Sequence, residues 1–308
     1  MSGFLQRLLT KKGKPAAKPT LGQQITQPLP ETKAQARQTV APHGSVVSPP
    51  QLIVGCGQSV GRQRHHNEDA LFTLTSSLVS NATQVPFGFY IVADGMGGHK
   101  HGEVASEIAV RALASTVIQR LYALLFSLPS QIPEQSLQEI MQEGVKAAHQ
   151  AIRRQAPGGG TTLTACLILG EQILITHAGD SRAYLIEFTG QFQVLTRDHS
   201  LVKRLEELGQ ITSEQAATHP QRNVLYRAVG QGEPFDAEIS IHPLPHSAYL
   251  MLCSDGLWSV IPESEMVHLV TTAPSPAQAC QDLVDAANTA GGPDNITVVL
   301  VRLPDEAR

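Results

Sequence analysis

Short apolar runs separated by turn residues dominate the chain after residue 50, and this pattern predicts β-strands. The connections Gly170-Glu171 and Thr189-Gly190 fall between such runs, which favours tight turns between antiparallel neighbours. The predicted strands cover residues 51–59, 87–93, 161–169, 172–178, 182–187, 192–195, 238–242, 249–253 and 295–301.

Apolar positions that recur every three or four residues predict two long helices, at residues 103–125 and 136–154. A third helix is predicted to begin at Ser275, with Pro276 in its first turn, and to end before Gly291. Helices and strands are segregated along the sequence. We therefore expect an α+β fold with a central β-sandwich of two antiparallel sheets, flanked by pairs of antiparallel helices in α-β-β-α layers.

Residues 1–50 are rich in Pro, Gln, Lys, Ala and Thr and show no sustained apolar periodicity, so they are predicted to form a disordered basic tail. Four apolar residues near the start, followed by lysines, are also compatible with a short helix that docks on a membrane surface or a partner. The predicted catalytic domain covers residues 51–305.

The tail holds seven Lys or Arg residues against one Glu, whereas the rest of the chain holds 16 basic and 26 acidic residues. An acidic domain argues against nucleic-acid binding and suits a protein that gathers cations. No apolar run reaches the roughly 20 residues of a membrane span, and no signal peptide is evident, so we expect a cytoplasmic protein. The absence of heptads favours a monomer.

The four cysteines are far apart and form no CxxC pair, which predicts free thiols in the core rather than a zinc site.

Acidic residues recur beside glycine where apolar runs end or begin. Asp94-Gly95, Asp180 and Asp255-Gly256 each follow such a run, and Asp294 precedes one. A strand delivers a terminal carboxylate to one edge of a sheet, where an adjacent glycine allows close approach of the backbone. For any single pair, ordinary turn chemistry explains the sequence equally well.

Carboxylates that converge remain ionised together only when a cation lies between them. All-oxygen ligands favour Mg²⁺ or Mn²⁺ over zinc. Arg64 lies four residues before Glu68, which Asp69 follows directly in the same segment. A guanidinium beside a two-metal site suits a phosphoryl group. A surface ion pair is the alternative for that segment.

Eight segments in order resemble the type-2C, metal-dependent class of protein serine/threonine phosphatases, in the bacterial form of the family. They span about residues 51–303 and read RHHNEDA (64–70), VADGMGGHKHGEVAS (92–106), GGTTLTA (159–165), AGDSRA (178–183), TRDHSLV (196–202), RAVG (227–230), SDGL (254–257) and GPDNI (292–296). Any one segment is weak evidence, but eight in register are specific.

The resemblance implies two Mn²⁺ or Mg²⁺ ions with Asp94 between them. The backbone carbonyl of Gly95, together with Glu68 or Asp69, would complete the second site. The implied reaction is direct attack of a metal-activated water on the phosphorus of phosphoserine or phosphothreonine in proteins, which are phosphorylated by an opposing serine/threonine kinase.

The first ion would be held by Asp255 and Asp294, and Asp180 resembles the family residue that recruits a third, weaker ion. Arg64 would bind the substrate phosphate. A catalytically dead phosphoprotein-binding scaffold and a hydrolase of small phosphate esters are the alternatives, and the intact carboxylates argue against the first of them.

One departure concerns the general acid. Eukaryotic relatives carry a histidine directly after the Asp-Gly pair, where this chain has Met96. His99 and His101 are nearby candidates for protonating the leaving group, and water on a metal is another.

Residues 202–235 resemble the mobile flap of the family, which lies beside the site. Arg204, Arg222 and Arg227 in this segment would meet acidic substrates, or would be ordinary solvated or paired residues.

Overall fold

A computed structural model of the protein describes residues 51–80, 83–97, 100–129, 131 and 133–305. In this part of the chain two antiparallel sheets face each other, and helices cover both outer faces. The expected α+β fold with α-β-β-α layers is confirmed. The predicted disorder of residues 1–50, and the short helix predicted within them, lie outside the described residues.

The strands are β1 (Ile53–Ser59), β2 (Asp69–Ser80), β3 (Thr83–Met96), β4 (Gly160–Thr161), β5 (Leu163–Leu169), β6 (Gln172–Ala178), β7 (Arg182–Glu187), β8 (Phe192–Val194), β9 (Glu238–Pro243), β10 (Ala248–Cys253) and β11 (Ile296–Arg302). One sheet has the order β1-β11-β10-β7-β8. The other has the order β2-β3-β5-β6-β9, and the short β4 pairs with β3. Strands β5 and β6 are joined by the two-residue turn Gly170-Glu171 that the sequence predicts, whereas β7 and β8 are joined by the four residues 188–191, which include Thr189-Gly190.

The helices are α1 (Lys100–Val117), α2 (Leu137–Gln155), α3 (Leu201–Glu207), α4 (Ser213–Ala217), α5 (Asp255–Trp258), α6 (Glu263–Thr272) and α7 (Pro276–Thr289). A π-helical turn, Ile118–Tyr122, and the segment Ala123–Leu125 continue α1. Helices α1 and α2 pack on the β2-β9 sheet, whereas α6 and α7 pack on the β1-β8 sheet.

Three hydrophobic clusters fill the spaces between the layers. Strand β3 shows why, because successive side chains of a strand point to opposite faces. Phe89 packs against the helices and the next residue, Tyr90, packs between the sheets. The nearly continuous apolar run of this strand therefore reflects burial on both faces.

The segment His101–Leu125 is long and apolar enough, by length and composition, to cross a membrane. Its residues Ala105, Leu113 and Leu121 are nevertheless fully buried in the cluster under α1 and α2. It is the core helix of this layer, since packing against the sheet accounts for its apolar stripe.

The first residues of the helices show where local sequence signals predict a helix start correctly. Ser136 and Glu139 form a capping box at the start of α2. Ser275 caps α7 and Pro276 lies in its first turn, as predicted. Helix α1 begins at Lys100, three residues before the predicted start. Strand β2 and the helices α3, α4, α5 and α6 were not predicted. Strand β2 lies at the edge of its sheet, where partial burial leaves a weak apolar pattern.

Two expectations were wrong in detail. The strand predicted for residues 161–169 is interrupted at Thr162, where the Asp94 amide donates to the Thr162 side-chain hydroxyl rather than to its backbone carbonyl. Cys56 is exposed, because it lies on the edge strand β1, whereas the other three cysteines are buried free thiols, as predicted.

Gly55 provides a test of the packing between β1 and α7. A Cβ atom at this position would lie 2.3 Å from the backbone carbon of Pro276, so α7 would have to move. We expect Gly55→Ala to lower the free energy of unfolding by about 1–3 kcal/mol. Denaturant titration of this variant beside Cys56→Ala, at the exposed neighbouring position, measures the effect. Equal stability of the two variants would contradict the packing described here.

Candidate active site

The acidic residues identified in the sequence come together at one end of the sandwich. Asp69 begins β2 and pairs directly with Asp94, near the end of β3. Asp180 follows β6, Asp255 follows β10, and Asp294 precedes β11. Antiparallel pairing puts the end of one strand beside the start of its neighbour, so both sheets deliver carboxylates to the same edge.

The electrostatics of this edge are unfavourable without a counter-ion. Burial and, to a smaller extent, the charges of Asp255 and Asp294 raise the pKa of Asp69 to about 7, although hydrogen bonds from Thr297 and Ser254 act in the opposite direction. Burial likewise raises the pKa of Asp255 to about 6, with Asp294 contributing. The pKa of Asp94 lies well above its ordinary value because of burial and four surrounding aspartates. Such a cluster is stable in its fully ionised form only with bound cations.

The donor atoms fit a hard divalent ion. Oxygen Oδ2 of Asp69 accepts hydrogen bonds from Ser254 (2.8 Å) and Thr297 (2.7 Å). In contrast, Oδ1 of Asp69 and Oδ1 of Asp255 are buried and have no hydrogen-bond partner among the described residues. Unpartnered carboxylate oxygens in an all-oxygen donor set suit Mg²⁺ or Mn²⁺.

No three His, Cys, Asp or Glu side chains of the described ranges already form a closed metal cage. This does not conflict with the electrostatic coupling of the aspartates, because Mg²⁺ sites normally keep several water ligands and need few carboxylates in direct contact. An open carboxylate edge is therefore the expected form of such a site.

Hydroxyl side chains hold the Asp94 backbone in place. Thr162 Oγ1 accepts from the Asp94 amide (2.9 Å), and the Thr162 amide donates to the Asp94 carbonyl (2.8 Å). Thr161 donates to the same carbonyl, and Ser181 lies 2.7 Å from Thr162 Oγ1. Sequence reasoning did not identify these roles. The one available signal was the presence of buried hydroxyl residues directly beside the acidic strand ends.

Two glycines allow the Glu68 and Gly95 segments to meet. The Gly95 amide donates to the Glu68 carbonyl (3.1 Å), which also accepts from Ser106 (2.6 Å). A Cβ atom on Gly102 would lie 2.1 Å from Glu68 Oε2, and one on Gly95 would lie 2.2 Å from the Gly102 carbonyl oxygen. Helix α1 therefore presses its first turn against the segment that carries Glu68.

Asn295 fastens the loop that carries Arg64. Its Oδ1 accepts from the Glu68 amide (2.8 Å), and its Nδ2 donates to the carbonyls of Val60 and His66, both at 2.9 Å. Arg64 Nη2 then reaches Asp294 Oδ2 at 2.6 Å. The guanidinium consequently stands at the mouth of the carboxylate cluster, half-exposed to solvent.

An open cleft of about 790 Å³ lies above this cluster. Its floor includes Arg64, Asp180, Asp255 and Asp294, and its far wall comes from the predicted flap. The flap and the segment just before it contribute Ser200, Val202, Lys203, Glu206, Ser213, Ala216, Ala217, Arg222 and Asn223. A phosphorylated side chain entering the cleft would thus meet the carboxylate edge at its base and the flap beside it.

Trp258, the one tryptophan of the chain, contacts residues of the cleft floor and the arginine that pairs with the segment just before the flap. Its Nε1 donates to the Asp180 carbonyl (2.9 Å), and the Arg182 guanidinium lies 3.5 Å from its ring centroid. Arg182 in turn makes a two-pronged ion pair with Asp198, just before the flap. Burial and neighbouring carboxylates raise the pKa of Asp180 well above its ordinary value.

The structure describes one of the two histidines that the sequence offers as general acid. His99 lies outside the described residues. The exposed His101 ring is held by the Pro157 carbonyl at 3.1 Å, and His101 does not line the cleft. No histidine from the part of the chain that the structure describes lines that cleft.

Comparison with known proteins identifies the class. The family model of protein phosphatase 2C matches residues 55–296. The serine/threonine phosphatase stp of Listeria innocua is 38% identical over 241 residues, covering 78% of this chain and 92% of the Listeria protein. The chain therefore belongs to the protein phosphatase 2C family.

Solved structures agree with this assignment. The Streptococcus agalactiae serine/threonine phosphatase superposes with a TM-score of 0.68 at 31% identity, over 82% of this chain and 99% of that one. The catalytic domain of the phosphatase PstP, solved with two manganese ions, gives a TM-score of 0.67 at 29% identity, over 83% and 100%. The predicted metal-dependent protein serine/threonine phosphatase, with Mn²⁺ or Mg²⁺ as cofactor, is confirmed.

The variant Asp255→Asn tests whether the Asp255 carboxylate binds the metal ion without being needed for the metal-free fold. In EDTA we expect its melting temperature to equal or exceed that of the unaltered protein, because one charge of a repelling cluster is removed. Saturating Mn²⁺ should raise the melting temperature of the unaltered protein by several degrees, and that of the variant by much less. Asp285→Asn, an exposed substitution on α7, serves as the control. A full Mn²⁺-dependent increase in Asp255→Asn would contradict the assignment.

Proposed function

We propose that the carboxylate edge described above is where this protein hydrolyses phosphoserine and phosphothreonine in its protein substrates. The observation that carries the proposal is the convergence of five aspartates, from both sheets, at the foot of a cleft that also contains Arg64. Asp94 would lie between two ions, with Asp255 and Asp294 at the first. The Gly95 carbonyl and Glu68 or Asp69 would serve the second, and Asp180 a weaker third.

Each side chain has a distinct task in this proposal. Divalent ions bound here would lower the pKa of a water and polarise the phosphoryl group. Asp69, whose Oδ2 is fixed by two hydroxyl donors, keeps a buried Oδ1 without a hydrogen-bond partner among the described residues, and this oxygen would be available to an ion. Arg64 would exchange Asp294 for the equatorial phosphate oxygens and stabilise their charge.

We further propose that the protein acts in the cytoplasm, as a monomer, against a serine/threonine kinase. Support for the compartment is that all four cysteines are free, including the exposed Cys56, as is typical of a reducing environment. The kinase follows from the chemistry, because a phosphatase of this class requires a supply of phosphoserine or phosphothreonine.

Hydrolysis of a phosphothreonine peptide with Mn²⁺, with Mg²⁺ and with EDTA tests the proposal. We expect phosphate release that requires the metal and that falls by at least about 100-fold in Asp255→Asn, because the variant loses a charge that holds the ion. Circular dichroism and Asp285→Asn control for folding. Equal turnover in Asp255→Asn would overturn the site assignment, and no release with either metal would overturn the proposed reaction.

Removal of residues 1–50 tests the proposed domain boundaries. Every proposed site residue lies at or after position 64, and the first strand starts at Ile53. We expect turnover of a phosphothreonine peptide to change by less than about twofold, since the strands, the helices and the proposed site residues named here all lie in the part of the chain that remains. A large loss of activity in a folded truncated protein would show that the first 50 residues belong to the catalytic domain.

A further inference from the structure

The cleft above the carboxylate edge is lined by four basic side chains, and three of them are already paired. Arg64 binds Asp294 at 2.6 Å, Arg182 binds Asp198 at 2.7 Å, and Lys203 binds Glu206 at 2.9 Å. The fourth, Arg222, has no carboxylate partner among the described residues. Its charge is thus available to a group that enters the cleft.

The backbone around Arg222 is held in place although the side chain is exposed. The Arg222 amide donates to the His219 carbonyl and the Val224 amide to that of Gln221, both at 3.1 Å. The Leu201 amide donates to the Val224 carbonyl at 2.8 Å, which ties this turn to the start of α3. The guanidinium therefore extends from an anchored turn, and this reduces the entropy lost when it binds a ligand.

Arg222 differs from the other two arginines of the flap in the cavity that its side chain lines. Arg204 pairs with Glu207 at 3.8 Å and does not line the cleft. Arg227 lies 3.2 Å from the buried His199 ring and faces a different, smaller cavity. Of the three arginines that the sequence offers to acidic substrates, the structure thus brings Arg222 alone to the lining of the cleft that also contains Arg64.

We propose that Arg222 is a specificity-determining residue, which binds a carboxylate side chain of the substrate close to the phosphorylated residue. This inference rests on the proposed function of the cleft. Phosphate would occupy the floor beside Arg64, and an aspartate or glutamate next to it in the peptide would reach the flap wall. A guanidinium grips a carboxylate with two parallel hydrogen bonds, so acidic peptides would be preferred over neutral ones of the same shape.

The test uses the full chain with Mn²⁺ and phosphothreonine peptides that carry a single Glu or Gln at each position within about three residues of the phosphothreonine, since one extended residue spans about 3.3 Å. The measured quantity is the ratio of kcat/KM for each Glu peptide to that for its Gln counterpart. We expect a ratio of about five at one or two positions for the unaltered protein, a value typical of an exposed charge pair. The ratio should fall at high ionic strength.

Arg222→Gln should bring that ratio to about one, and Arg222→Glu should bring it below one because like charges then repel. Arg204→Gln, a matched flap arginine outside the cleft, should keep the ratio of the unaltered protein. Fluorescence of Trp258, which lies in the cleft, confirms that each variant keeps its fold and its response to Mn²⁺.

Three results would overturn the inference. The first is an unaltered protein that releases phosphate but does not distinguish Glu from Gln, which leaves the proposed function intact. The second is an equal loss in Arg222→Gln on both peptides of a pair, which would place Arg222 on the reacting phosphate instead. The third is no metal-dependent release from any peptide, which removes the proposed function and the inference together.

Discussion

The constraint on which this structure depends is the mutual repulsion of aspartates gathered at one end of a β-sandwich. Each carboxylate loses hydration there, and each raises the pKa of its neighbours, as the values for Asp69 and Asp255 show. Gathering these carboxylates lowers the stability of the metal-free fold, so stability alone does not explain their arrangement. In the proposed function this cost is offset, because divalent ions bound at the same edge would concentrate positive charge where the substrate phosphate would bind.

Much of the surrounding architecture serves to keep those carboxylates in place. Hydroxyl groups of Ser254 and Thr297 fix one oxygen of Asp69, and Thr162 fixes the backbone of Asp94 from both sides. Asn295 anchors the Arg64 loop with three hydrogen bonds. Because rigid supporting contacts determine how well a site is preorganised, these residues matter for the chemistry although they do not line the cleft.

The fold class and four of the aspartates, Asp94, Asp180, Asp255 and Asp294, were predictable because both follow from local signals. Asp69 begins a strand that the apolar pattern missed, so only the family resemblance indicated its place in the site. Apolar periodicity identifies strands and helices, and an acidic residue at the end of such a run marks a sheet edge. The supporting contacts were not predictable, because Thr162, Ser254 and Asn295 meet their partners across distant parts of the chain. The weakly apolar edge strand β2 was missed for a related reason, since tertiary pairing rather than its own pattern defines it. The choice of Arg222 among three flap arginines likewise needed the three-dimensional arrangement.

Diffraction from crystals grown with Mn²⁺, recorded at a wavelength where manganese scatters anomalously, tests the central claim most directly. The account predicts two strong anomalous peaks at the carboxylate edge, with Asp94 between them and Asp255 and Asp294 at one of the two. It also predicts that the Asp255→Asn crystal loses that peak while the surrounding strands keep their positions. Strong manganese peaks elsewhere on the protein, with none near Asp94, would contradict the account.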